Sequence, residues 1–237
     1  MDPMRFEVKV VRGEGVPVDA VRVREYGAVR VTAEWPADRT AREFVLSIEV
    51  HGVAGRHDAP AYVELFLHDV FLLLNLAAPG SFGGTLSASG SDVRVREVNF
   101  RPHVFEHAAG VGRLPLEQVT RWYDTLGIGT RQIAMSAEAI ALFELLKLAG
   151  AEEDEEVSIL RLARAADALL GRPEPLQRLF ELRDDLALGR TPVFHPMHDD
   201  ALDPWVEDAT RKWIEVADDA AGAVVGALQE RIRNTTP

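Results

Sequence analysis

The stretch "LRDDLALGR" (residues 182–190) places an arginine, Arg183, on what its neighbours make the apolar side of a helix. Leu176, Leu179 and Phe180 before it and Leu186 after it recur at helical spacing. Arg183 follows Phe180 by three residues and Leu179 by four, so it projects from the same stripe. A charge in that position needs a counter-charge, because an unpaired buried charge is costly. The preceding run "ILRLARAADALLG" (159–171) supplies one. Its stripe is Ile159, Leu162, Ala163, Ala166, Leu169 and Leu170, and Asp167 borders it. A short connection through Gly171 predicts antiparallel neighbours, so we expect Arg183 and Asp167 to form a structural ion pair. The competing reading lets Arg183 snorkel at the rim of a bundle.

Working outward, the helical period holds from about residue 113 to the end. "PLEQVTRWYDTLG" (115–127) opens with a proline suited to a first turn. "RQIAMSAEAIALFELLKLAG" (131–150) puts Ile133, Ile140, Phe143 and Leu146 near one face and stops at glycine. "PWVEDATRKWIEVADDAAGAVVGALQERIR" (204–233) is long enough to span a bundle, with Asp203 as a candidate cap before Pro204. The tryptophans Trp122, Trp205 and Trp213 fall at core-like positions. "AEEDEE" (151–156) reads as an acidic run into a helix N-terminus, where negative charge is favourable.

The first hundred residues have a different grammar. "FEVKVV" (6–11), "VRVRE" (21–25), "AVRVTAEW" (28–35), "EFVLSIEV" (43–50) and "VRVREVNF" (93–100) alternate or run with β-branched residues. "EYGAV" (25–29) reads as a tight hairpin. One helix at 61–76 interrupts the strands, with apolar residues at 62, 63, 66, 67, 70, 71 and 74, and "PGSFGG" (79–84) ends it. His68, Asp69 and Asn75 break its apolar run, which favours a buried core helix over a membrane span. The fold class expected is therefore α+β: a mixed sheet with one buried helix over 1–112, then an all-α bundle over 113–237.

Composition narrows the function. A net charge of −12 disfavours non-specific nucleic-acid binding across the whole surface and leaves room for a local basic patch. With no cysteine, disulfides, thiolate metal sites and cysteine nucleophiles are excluded. "MDPMRFEVKVVRG" lacks the basic and apolar regions of a secretory signal, and we expect a cytoplasmic protein with no membrane partner.

The two helical stretches together resemble the HEPN (higher eukaryote and prokaryote nucleotide-binding) helical domain over roughly residues 131–235. In that family an acidic residue lies on one helix, and an "lRN..vHG" pattern follows whose Arg and His cleave RNA. The resemblance gives Asp167 the acidic position and Arg183 the arginine, with Gly189 and Arg190 at the end of the motif. Asp184 departs from the usual asparagine, and Leu188 occupies the histidine position. The imidazole would serve acid–base chemistry, which leucine cannot. The resemblance thus implies a HEPN-like bundle without catalytic residues, acting in nucleotide or RNA binding or in self-association as a homo-oligomer, with no cofactor. One alternative is a HEPN-type ribonuclease effector whose missing group comes from elsewhere, such as His195 or a partner subunit. In "RTPVFH" (190–195) an arginine does precede that histidine, but Pro192 interrupts the helix that would fix both.

Three other patterns compete. "HVFEH" (103–107) matches the H-x-x-E-H of inverted zinc peptidases, with His103 and His107 as ligands and Glu106 activating water. Glu174 or Glu181 would have to supply a third ligand, and we read the segment as a surface helix or loop with no metal. "HPMHDD" (195–200) reads as a loop. Arg22, Arg24, Arg30, Arg94 and Arg96 alternate with valine in the strands and could line one sheet face as an anion-binding ladder. The competing reading is a solvated face balanced by Glu25 and Glu97.

Overall fold

The computed structural model describes residues 3–11, 23–35, 43–80, 84–86, 88–90, 98–100, 103–106, 108, 111–126, 136–150, 155–188 and 204–235. Its class is α+β. The strands are β1 (Met4–Val11), β2 (Val23–Tyr26), β3 (Val29–Glu34), β4 (Glu43–His51), β5 (Gly84–Leu86), β6 (Ala88–Gly90) and β7 (Val98–Phe100). The helices are α1 (Ala59–Ala77), α2 (His103–Glu106), α3 (Leu116–Thr125), α4 (Ala137–Gly150), α5 (Glu155–Leu170), α6 (Gln177–Ala187) and α7 (Pro204–Thr235).

A five-stranded antiparallel sheet runs in the order β2-β3-β4-β1-β6, and β5 pairs with β7 in a separate ribbon. Side-chain alternation gives the sheet one dry face. Phe6, Val8, Val29, Val31, Ala33, Leu46, Ile48 and Val50 are buried, while Arg5, Glu7, Arg30, Glu34, Val45 and Ser47 between them face out. The β2–β3 hairpin turns on two residues, with Tyr26 opposite Val29. Gly27 alone adopts a positive φ there, of 66°, as a two-residue turn with glycine in first position requires. Gly52 leaves β4 at φ 78°, and a Cβ on it would stand 2.5 Å from the Ala28 carbonyl oxygen of that turn. Only glycine lets the two segments touch.

Helix α1 lies between the sheet and the other helices. It packs on β3 and β4 on one side and on α3, α4 and α7 on the other. Among the described residues it is the one helix long and apolar enough to cross a membrane, and it buries Val63, Phe66, Leu67, Val70 and most of its last two turns inside the protein. The buried residues form one cluster from Phe6 in β1 to Ile232 in α7, so the hydrophobic core is continuous across residue 112. The residues just before α3 are tied to the end of α1 as well, since the Leu114 N–H donates to the Ala77 carbonyl at 2.8 Å.

The bundle departs from the sequence expectation in one helix. In α4 the inward residues are Ala141, Leu142, Glu144 and Leu145, while Phe143 is exposed and Ile140 half-buried. The stripe drawn through Ile140, Phe143 and Leu146 followed the bulkiest side chains. Packing instead followed the small Ala141 and the paired Glu144. Glu144 is buried because Arg161 and Arg164 of α5 reach it at 3.0 and 3.3 Å. Ile133 and the strand residues 93–97 lie outside the described residues.

Candidate functional site

Two polar clusters stand out. The first is the corner between α5 and α6, where the sequence placed its ion pair. Arg183 is 20% exposed at the side chain, and its Nη1 lies 3.9 Å from Asp167 Oδ2 without a hydrogen bond. Its hydrogen bonds go to its chain neighbour instead: Nη2 and Nε donate to Asp184 Oδ1 at 2.6 and 2.9 Å. The guanidinium also lies over the Phe180 ring, 5.3 Å from its centroid, and Arg172 lies over the same ring at 5.5 Å. Asp167 is 45% exposed and stands 3.5 Å from Arg172. The corner is thus a partly wet network of two arginines and two carboxylates around one phenyl ring. Leu188 follows at the end of α6, 60% exposed. Gly189, Arg190 and His195 lie outside the described residues.

Of the arginine ladder, Arg24 and Arg30 are the described members, and they lie on opposite faces of the sheet. In the β2–β3 register Arg24 stands opposite Val31 and Arg30 opposite Glu25, and residues directly opposite share a face. Val31 is fully buried and Arg30 exposed, so Arg24 points toward the core and Arg30 toward solvent. The two-residue turn fixes this register, and alternation within each strand does the rest. Arg22, Arg94 and Arg96 lie outside the described residues.

Arg24 leads to the second cluster, which joins the sheet edge to the bundle. Its side chain is 12% exposed, Nη1 is hydrogen-bonded to Asp124 of α3, and the guanidinium stacks 5.1 Å over the Tyr123 ring. Asp69, in the middle of α1, accepts a hydrogen bond at each oxygen. Tyr26 of β2 donates to Oδ2 at 2.8 Å, and Tyr123 of α3 donates to Oδ1 at 2.5 Å. The Tyr62 ring of α1 packs 6.1 Å from that of Tyr26. Burial pushes the Asp69 carboxyl above its ordinary range, against the opposing pull of the two phenols and Arg24. Burial, together with the adjacent Asp69, also pushes both Tyr26 and Tyr123 upward. The tyrosines therefore stay protonated donors, and Asp69 is a carboxyl poised to hold a proton more readily than usual. Nε and Nη2 of Arg24 are buried without a hydrogen-bond partner among the described residues.

Residue-by-residue reading missed Asp69, Tyr26, Tyr123 and Asp124 as a group. The one signal was Asp69 itself, an acid interrupting the apolar run of α1. Beside it, burial lowers the His68 imidazole below its ordinary value.

Of the zinc candidates, Glu106 is exposed near the C-terminal end of the four-residue α2, while the His103 side chain and His107 lie outside the described residues. No group of three or more His, Asp or Glu suited to a metal ion occurs among the described residues. Neither a protein-family model, nor a curated protein, nor a solved structure matches this chain.

Proposed function

We propose that this protein is a binding module for nucleotide or RNA that leaves the phosphodiester uncut, with a HEPN-like bundle whose Arg/His chemistry has been lost. One observation carries the reading. Arg183 is committed to Asp184 and Phe180, and the position where an imidazole would take or give a proton holds the exposed Leu188. Arg172 and Arg178, both more than half exposed, can exchange their exposed pairings with Asp167 and Glu181 for a phosphate backbone. An overall charge of −12 keeps the contact local and salt-sensitive. This role places the protein in the cytoplasm.

The test is incubation of the purified protein with total RNA, reading retention and fragment length from the same samples. Retention without shortening supports the reading. Shortened RNA would overturn it, and His195 would then be the first residue to mutate.

A second reading, self-association, has its own observation. Phe143 of α4 and Leu160 of α5 are both exposed. Each immediately precedes a residue of the Glu144–Arg161 pair that joins the two antiparallel helices, so both fall on the same outer side. Light scattering on wild type and Phe143→Asp would expose a dimer built on that face, since the variant should run as a monomer. A monomer in both would remove this reading.

A further inference from the structure

We propose that Arg24 anchors a phosphate-binding site at the junction of β2, α1 and α3, presenting its Nε and Nη2 edge to two oxygens of one phosphate group. The inference deepens the proposed binding role and rests on it only for the choice of phosphate over carboxylate.

The geometry of the guanidinium makes the argument. Nε–H and the nearer N–H of Nη2 are parallel donors, spaced to meet two oxygens of a single oxyanion. Among the described residues this edge of Arg24 is left without a hydrogen-bond partner, whereas Nη1 is taken by Asp124. A charged group with two buried unanswered donors is costly, and such groups in folded proteins call for a specific explanation. Asp69, the other carboxylate of the cluster, does not supply one: its two oxygens accept from Tyr26 and Tyr123. The two phenols thereby hold Asp69 away from competing for Arg24. Burial also inclines Asp69 toward its neutral form, which lessens the repulsion an incoming anion would meet.

Asp124 marks the approach. Its side chain is 57% exposed, whereas that of Arg24 is 12% exposed with Nε and Nη2 sealed from solvent, so displacement of Asp124 is the way in to that edge. Asp124 is then an internal competitor: it occupies one prong of the cation and yields when a phosphate arrives. The Tyr123 ring under the guanidinium fixes its plane and keeps the fork oriented.

The experiment is titration calorimetry of the full chain with inorganic phosphate, AMP, adenosine and acetate at fixed ionic strength. Wild type, Arg24→Lys, Arg24→Met and Asp124→Asn are compared, with circular dichroism checking that each is folded. Wild type should bind phosphate and AMP and ignore adenosine and acetate. Arg24→Lys keeps the charge and loses the fork, so it should weaken phosphate binding about tenfold or more. Asp124→Asn should tighten it severalfold. No phosphate binding by wild type, or equal affinity in wild type and Arg24→Lys, overturns the proposal, and binding of acetate in place of phosphate overturns the assignment of the ligand. Should Arg24→Met fail to fold, the lysine and Asp124→Asn variants still decide. RNA retention by a wild type that binds no inorganic phosphate would sink this site alone, whereas no RNA retention by wild type would sink the broader binding role.

Discussion

The joint between sheet and bundle and the corner between α5 and α6 are both built from charged and polar side chains, but they solve opposite problems. At the joint the groups other than Asp124 are largely enclosed, and they come from distant parts of the chain. Tyr26 and Tyr123 reach Asp69 across 43 and 54 residues, and Gln229 of α7 reaches the Leu76 carbonyl across 153. At the corner the hydrogen bonds are local. Arg183 bonds its own neighbour Asp184, and Arg178 bonds Glu181 three residues on. Buried polar groups with distant partners specify how elements pack, because a wrong arrangement leaves them unanswered. Exposed local pairs specify little, because water answers them in any arrangement. The joint should therefore govern stability, and the corner should be nearly free to change.

Gln229 gives the comparison its hardest test. It is buried, donates through Nε2 to the Leu76 and Gly112 carbonyls at 2.8 and 3.1 Å, and accepts from Arg233 at 3.1 Å. It thus ties the C-terminal end of α1 and the segment before α3 to α7. Gln229→Leu fills similar space while stranding two carbonyls, and we expect a loss of about 3 kcal/mol in urea unfolding. Arg178→Ala at the corner should stay within about 0.5 kcal/mol. Similar losses for the two would erase the distinction between the regions.

Asp69 sharpens it through pH. Asp69→Ala removes the acceptor of two part-buried phenols and should cost about 2 kcal/mol. Its titration has a definite sign. The folded-state pKa is raised, so the folded protein holds the proton over a window in which the unfolded chain has released it. Stability from this group is fully present below the unfolded carboxylate range and is lost as pH rises through the raised value. Asp69→Asn carries no such proton. The stability of wild type relative to Asp69→Asn should therefore fall as pH rises from the ordinary carboxylate range toward neutrality. A difference that grows with pH over that span would mean that the phenols and Arg24 outweigh burial.

How much of this was legible follows the same division between local and distant causes. The β2–β3 hairpin could be read from "EYGAV" because turn chemistry is local and Gly27 is its signature. The α5 stripe could be read because Ile159, Leu162, Ala163, Ala166 and Leu169 need only helical periodicity to share a face. Helix α4 could not, since Glu144 turns inward only when Arg161 and Arg164 arrive from the next helix. Asp69 was visible as an interruption in α1 but not as a site, because its purpose lies in two tyrosines far along the chain. Arg24 and Arg30 looked equivalent in the valine–arginine pattern, and only the cross-strand register separates the inward residue from the outward one. Of the β5–β7 ribbon, β7 falls within the strand read from "VRVREVNF" (93–100), while β5 escaped because "GTL" has too little pattern to announce a strand.

The smallest effect concerns the pair with which the sequence reading began. Arg183 and Asp167 approach to 3.9 Å with no hydrogen bond, Asp167 is nearly half exposed, and each has a closer partner in Asp184 or Arg172. A double-mutant cycle on Arg183→Met and Asp167→Asn should give a coupling of no more than about 0.5 kcal/mol. Arg183→Ala should still cost about 1 kcal/mol, because it also removes the aliphatic stem and the cation from the Phe180 ring. The two values separate causes that a single mutation merges. A coupling near 2 kcal/mol would show that the pair closes in solution into the buried bridge expected from the apolar stripe. The corner would then belong with the joint as a determinant of packing.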